Sequence, residues 1–160
     1  YQLLCRHRRD TVLVVVGEGP YLETMQAKLN GFPVHFTGRQ TGEELARIYA
    51  SCDLFVFPSE TDTFGVVLIE AQASGVPVIV SAKGGTRHAM RDGETGRVIG
   101  EMNPENLQLT VSALLDDPVT HSRMKTAARS FGEEHTQEKA FDCFWQFHRT
   151  QLKPHMETVS

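Results

Sequence analysis

Apolar residues along this chain come in two alternating textures. Short continuous runs rich in β-branched residues are Thr11-Val12-Leu13-Val14-Val15-Val16, Val34-His35-Phe36-Thr37, Asp53-Leu54-Phe55-Val56-Phe57, Val76-Pro77-Val78-Ile79-Val80 and Arg97-Val98-Ile99. Such runs predict strands buried on both faces, as in a parallel sheet. Pro77 lies near the start of its run, where a missing N–H is tolerated. Between the runs the spacing turns helical. Residues 2–9 read as the end of a helix, and Leu22, Met25 and Leu29 keep the helical period up to Asn30-Gly31. Gly42-Glu43-Glu44 opens a helix with Leu45, Ile48 and Tyr49 inward. A further helix is expected from about Phe64 to Ser74, stopped by Gly75. Asn103-Pro104-Glu105 starts another, with Leu107, Val111, Leu114 and Leu115 inward, and Asp116-Asp117-Pro118 ends it. Helices over about 119–134 and 136–152 follow, the last carrying an aromatic stripe (Phe141, Phe144, Trp145, Phe147) read as core packing; 153–160 read as a frayed tail.

Alternating strands and helices predict a Rossmann-like, doubly wound parallel α/β sheet with helices on both faces and a helical C-terminal extension. Ligands of such sheets bind outside the carboxyl ends of the strands. The candidate site is therefore built from Gly17–Pro20, Gly38–Gln40, Pro58–Gly65 and Ser81–Gly85. Gly17-x-Gly19-Pro20 lacks the third glycine of the dinucleotide fingerprint, which disfavours NAD and leaves a tight turn or a different ligand loop. Gly84-Gly85 is either a turn or a place where backbone meets ligand.

The stretch from Pro58 to Ala71 holds the most chemistry. An apolar run stops at Pro58, a polar loop follows, and a second apolar run carries one charge, Glu70. Strand, loop and helix in that order make an anion-binding corner, because the helix start leaves N–H groups unpaired and carries partial positive charge. Gly65 would let a phosphate approach the backbone. Asp62 and Glu70 have seven residues between them and are the candidate catalytic carboxylates. A helix apolar nearly all round is buried, and a lone buried carboxylate needs partners. Glu70 therefore either accepts ligand hydroxyls or points to a wet edge, and Gln72 and Ser74 mark some polar surface too.

Composition narrows the classes. At 160 residues, with 40% hydrophobic and 22% charged, the chain is one soluble domain with a sizeable core. A net charge of −4, with no basic run beyond Arg6-His7-Arg8-Arg9, leaves no electrostatic footprint for nucleic acid. Cys5, Cys52 and Cys143 form no metal spacing and read as reduced thiols, so the expected location is the cytoplasm. Neither a metal nor another cofactor is expected, since His35 and His88 stand alone. No run is long enough to span a membrane. The chain opens inside a helical pattern, which reads as a fragment of a longer protein.

Several stretches together resemble a known family. They are Val15-Val16-Gly17-Glu18-Gly19-Pro20, Val34-His35-Phe36-Thr37-Gly38-Arg39, Asp53 to Ser59, Thr61-Asp62-Thr63-Phe64-Gly65, Glu70-Ala71, Ala73-Ser74-Gly75-Val76-Pro77-Val78, Gly84-Gly85 and Asp92-Gly93-Glu94-Thr95-Gly96. In order and spacing, over about residues 3–150, they look like the donor-binding C-terminal domain of retaining GT-B glycosyltransferases of family 4, in the subgroup with a Thr-Asp-Thr-Phe-Gly loop. The resemblance implies that Asp62 holds hydroxyls of the donor sugar and Glu70 the ribose hydroxyls. It implies that the backbone N–H groups of Phe64, Gly65 and Val66, with Thr63 beside them, face the diphosphate. Gly38-Arg39-Gln40 would edge the nucleobase, with Gly17 and Gly19 nearby, and Gly84-Gly85 would complete the donor site. Where the family often has Gly-Gly-x-x-Glu, this chain has Gly84-Gly85-Thr86-Arg87-His88, so no acidic role is carried over there.

The implied function is transfer of a sugar from a nucleoside diphosphate sugar to a sugar or lipid acceptor. The acceptor would bind a separate N-terminal domain. An Arg and a Lys that clamp the diphosphate would lie on the loop after a first strand preceding Tyr1, so residues 1–152 are expected to be a donor domain lacking that strand. Such a fragment is expected to be inactive alone, and membrane association of the full-length protein stays open. A GT-B nucleotide-sugar epimerase or hydrolase, or a non-catalytic nucleotide-binding module, would use the same pocket.

Overall fold

The computed structural model describes residues 1–62 and 65–135. The expected helix over 136–152, with Trp145 and its aromatic neighbours, and the tail at 153–160 lie outside the described residues. In chain order the elements are α1 (Gln2–His7), β1 (Leu13–Val16), α2 (Leu22–Lys28), β2 (Val34–Gly38), α3 (Gly42–Ser51), β3 (Phe55–Phe57), α4 (Val66–Ala73), β4 (Val78–Ser81), a 3-10 turn (Thr86–Ala89), β5 (Gly96–Ile99), α5 (Pro104–Asp116) and α6 (Pro118–Glu134). The helix starts follow local chemistry. The Asn103 side chain accepts from the Asn106 N–H at 2.8 Å and the Asp117 carboxylate from the Thr120 N–H at 3.0 Å. Each cap is followed by a proline, whose missing N–H costs nothing at a helix start.

β4 is the centre of the molecule, and all of its residues are buried. Val78 and Val80 pack with Tyr49, Leu68 and Ala71 on one face, while Ile79 packs with Leu4, Val111, Leu114 and Met124 on the other. A strand covered by helices on both faces has no polar side, which is why its sequence does not alternate. The three strand pairs, β1–β2, β3–β4 and β4–β5, are parallel. The chain is thus an α/β protein with parallel strands and helical layers.

The sheet comes in two pieces, β1-β2 and β3-β4-β5. Helix α1 reaches both. The Tyr1 hydroxyl, just ahead of it, lies within hydrogen-bond distance of the carbonyls of Thr11 (2.9 Å) and Pro33 (2.8 Å) beside the first piece, which share its one proton. Leu4 packs into the cluster of Ile79, Leu54 and Val56 in the second. The apolar run of β1 predicts burial on both faces, yet Leu13, Val14 and Val15 are only half-buried and Val16 is 39% exposed. Helix α2 likewise buries no residue fully. The helix expected from Phe64 begins at Val66, because Gly65 takes a left-handed conformation (φ 66°) just before it.

Candidate functional site

The loop after β3 is built on hydrogen bonds from its own residues. The Asp62 N–H donates to Ser59 Oγ at 3.3 Å, and Asp62 Oδ1 accepts from the Gly65 N–H at 2.9 Å. Asp62 therefore holds the loop in its approach to α4, and the Gly65 donor, expected to face a phosphate, is engaged by Asp62. The glycine at 65 has a reason inside the protein. A Cβ there would come within 2.9 Å of Leu68 Cδ1 and 3.4 Å of Thr86 Cγ2, and the positive φ disfavours any side chain. Gly84 is similar: a Cβ would meet the carbonyl oxygens of Glu60 (3.0 Å) and Asp62 (3.1 Å), and the Gly85 N–H donates to the Asp62 carbonyl at 3.0 Å. The loops after β3 and β4 are thus one assembly, with backbone docked on backbone. Thr63 and Phe64 lie outside the described residues.

On α4 the two polar side chains behave differently from each other. Gln72, expected at a polar surface, is fully buried. Its Nε2 donates to the carbonyls of Leu68 (2.9 Å) and Ala89 (2.8 Å), tying α4 to the 3-10 turn and offsetting part of the cost of burial, while its buried Oε1 has no hydrogen-bond partner. Glu70 is exposed instead, a turn inside the helix start. Its Oε2 accepts from the Tyr49 hydroxyl at 3.5 Å. Tyr49, on α3, is itself buried, and its phenol is pushed up to about 12, first by burial and then by the negative charge of Glu70. It is a neutral donor throughout the physiological range.

The loops after β1 and β2 are also brought together. Gly17, in a positive-φ conformation, donates from its N–H to the Gly38 carbonyl at 2.8 Å. Gln40 Nε2 donates to the Thr37 carbonyl at 2.8 Å, which commits part of that side chain to its own turn. Arg39 and Gly19 are exposed. A cation that the residue patterns did not single out is Lys83, after β4. Its Nζ lies 3.2 Å from Glu60 Oε2 in a solvent-exposed pair spanning the two docked loops. Tyr49 was legible as an inward residue, but only the fold brings its hydroxyl to Glu70. Among the described residues no group of three or more His, Cys, Asp or Glu is gathered to hold a metal ion. A depression lined by residues of α1 and α5 lies elsewhere: of its two arginines, Arg8 is paired with Asp10 (3.0 Å) and with Asp116.

Two docked loops, a helix start and an exposed carboxylate on that helix thus make one corner. The model of the glycosyl transferases group 1 family matches residues 1–131. The chain belongs to the glycosyl transferases group 1 family. Among its relatives, a GDP-mannose-dependent alpha-mannosyltransferase of Corynebacterium glutamicum is 39% identical over 153 residues, covering 95% of this chain and 34% of that protein. The sulfoquinovosyl transferase SQD2 of Arabidopsis thaliana is 36% identical over 126 residues, covering 77% of this chain and 25% of that protein. The chain thus spans about a quarter to a third of the length of these relatives. A solved structure of Anabaena Alr3699/HepE in complex with UDP superposes with a TM-score of 0.82 over 94% of this chain and 44% of that one, at 19% identity. The group 1 glycosyltransferase chain therefore has the fold of a GT-B half, and among the described residues no helix is long and apolar enough to cross a membrane.

Proposed function

We propose that the chain is the donor-binding half of a retaining glycosyltransferase of family 4, in the subgroup with a Thr-Asp-Thr-Phe-Gly loop. It would transfer a sugar from a nucleoside diphosphate sugar to a sugar or lipid acceptor held by an N-terminal domain. Glu70 carries this reading. It is the exposed carboxylate and single charge of α4, a turn inside a helix start that favours phosphate, and it has a neutral donor behind it. A diphosphate at the Val66 end of α4 would leave its ribose within reach of Glu70. Asp62, already bound to the Gly65 N–H, would hold the donor sugar from the loop side. Arg39, Gln40, Gly17 and Gly19 would lie toward the nucleobase. Relatives named for GDP-mannose and a structure solved with UDP support a nucleoside diphosphate ligand.

In this mechanism negative charge builds on the leaving diphosphate, and the helix start stabilises part of it. Retention runs by same-face attack assisted by that diphosphate; no residue of the site is placed as a covalent nucleophile. The remaining charge stabilisation would come from an Arg and a Lys on a segment before Tyr1. That segment would bring one more parallel strand, joining the β1-β2 pair to the β3-β4-β5 sheet and covering the apolar run of β1, which is only half-buried. We place the reaction in the cytoplasm, consistent with the free thiols of Cys5 and Cys52. Calorimetric titration with GDP and with UDP tests the site: binding by the parent chain and its loss in Glu70→Ala are expected. Equal affinity of parent and variant overturns the reading.

A further inference from the structure

We infer that Tyr49 is a positioning residue for the donor site: its buried hydroxyl donates to Glu70 Oε2 and fixes the carboxylate in the orientation that receives a ribose diol. This rests on the reading of Glu70 as a hydroxyl acceptor and assigns that site a component of its own.

The argument begins with what the core requires at position 49. The ring is 7% exposed and sits edge-on to Phe55, with centroids 5.4 Å apart and planes at 78°. Around it are Leu68, Ala71, Val76, Val78 and Val80, none with a polar side chain. Phenylalanine would satisfy every one of these contacts. The hydroxyl is therefore not needed for packing, and a buried hydroxyl without a partner is costly. Its side-chain partner is the Glu70 carboxylate at 3.5 Å, across the α3–α4 junction.

The Glu70 side of the pair needs such a partner. Its backbone carbonyl is engaged by the Ser74 N–H (3.2 Å) and Ser74 Oγ (3.1 Å), but those bonds do nothing to hold the carboxylate. An exposed glutamate has rotatable bonds whose freedom is lost on binding, so a rigid neighbour that selects one rotamer lowers that cost. The phenol is well suited. Its ring is immobile in the core, and a single O–H occupies one of about four acceptor positions on the carboxylate, leaving the rest for a diol. Being neutral, it leaves the carboxylate's charge intact, unlike a lysine or arginine in the same place.

The test is a double-mutant cycle on the chain, Y49F, E70Q and Y49F/E70Q, titrated calorimetrically with GDP and UDP and with their 2′,3′-dideoxy counterparts. Y49F is expected to weaken the ribonucleotides about three- to tenfold, the effect of one hydrogen bond, while leaving the dideoxy compounds unchanged. In the E70Q background Y49F is expected to add no further loss. If E70Q weakens ribonucleotide binding and Y49F does not, the positioning role is overturned and the site reading stands. Equal weakening of ribo and dideoxy ligands by Y49F shows a merely structural tyrosine and also overturns it. If E70Q is neutral, or the parent binds neither nucleotide, the site reading falls and the inference with it. Should Y49F fail to fold, ultraviolet titration of the three tyrosines in parent and E70Q reads the contact directly. One phenol is expected to ionise at lower pH once the Glu70 charge is removed; no change overturns the contact.

Discussion

Gly132 has no room for a side chain. A Cβ there would collide with the backbone nitrogen of Ala73, because α4 and α6 cross with their backbones in near contact. Gly132→Ala is expected to destabilise the fold by about 1–3 kcal/mol, with an unchanged m-value, in urea unfolding. Equal stability would mean that the two helices part easily. Protonation at single residues gives a second expectation. The Tyr49 phenol is raised from 10.0 to about 12 and burial also raises the Cys52 thiol. Above the ordinary range of these groups the unfolded chain releases protons that the folded chain retains, so stability falls as pH rises, most steeply between about pH 10 and 12 for Tyr49. Y49F should flatten that part of the curve, measured as melting temperature against pH; an identical slope in Y49F contradicts the assignment. At this scale the sequence was informative about residue type but not about partner. The single charge of α4 marked Glu70, yet the helix carries a buried Gln72 as well, and nothing in the linear pattern shows which of the two turns inward to donate to backbone carbonyls. Gly65 and Gly84 were readable as close-approach glycines, but what approaches them is the protein's own Leu68, Thr86 and loop carbonyls.

Among the elements, caps and strand runs were the parts most legible beforehand. Asn103 starts α5 as the sequence predicts, and Asp117, read only as part of the break after α5, also caps α6, because a short acceptor before a proline can reach N–H groups that no helical carbonyl serves. Asn103→Ala is expected to cost about 1 kcal/mol in denaturant unfolding, and Asp117→Ala to destabilise as well. Asp117 also titrates: its bonds to Thr120 hold the carboxyl below its usual value of 3.8. Its contribution is present above that range and is lost as pH falls through the lowered value, so the difference between parent and Asp117→Ala should vanish in strong acid. A difference that persists there would point to packing instead of capping. Less legible was the path between elements. The start of α4 shifted to Val66, because a left-handed Gly65 needs the extra residues of an Asp62-bonded loop. Helix α2 shows the correct periodicity but buries nothing fully, since periodicity reports which face is apolar and not how much surface is there to cover it.

For the molecule as a whole, the division of the strands into two sheets and the site at the start of α4 belong to one proposal. An added parallel strand joining the two sheets would bury the β1 run and bring the diphosphate clamp with it. A longer natural chain carrying that segment is expected to slow amide exchange in β1 and β3 relative to these 160 residues; unchanged exchange there would contradict the proposed slot. The chain alone is expected to transfer no sugar, and turnover by it would overturn the division into donor and acceptor halves. The parallel α/β architecture and the loops that form the corner were readable from strand–helix alternation. The two-piece sheet was not, because pairing between strands far apart in sequence leaves no local signature. The most direct test of the account is amide and side-chain NMR of the chain titrated with GDP and UDP. Shifts centred on the Val66 amide and the Glu70 carboxylate are expected, with the dideoxy nucleotides sparing Glu70. Shifts confined to the depression around Arg8, or saturable binding that leaves both Val66 and Glu70 unmoved, would contradict it.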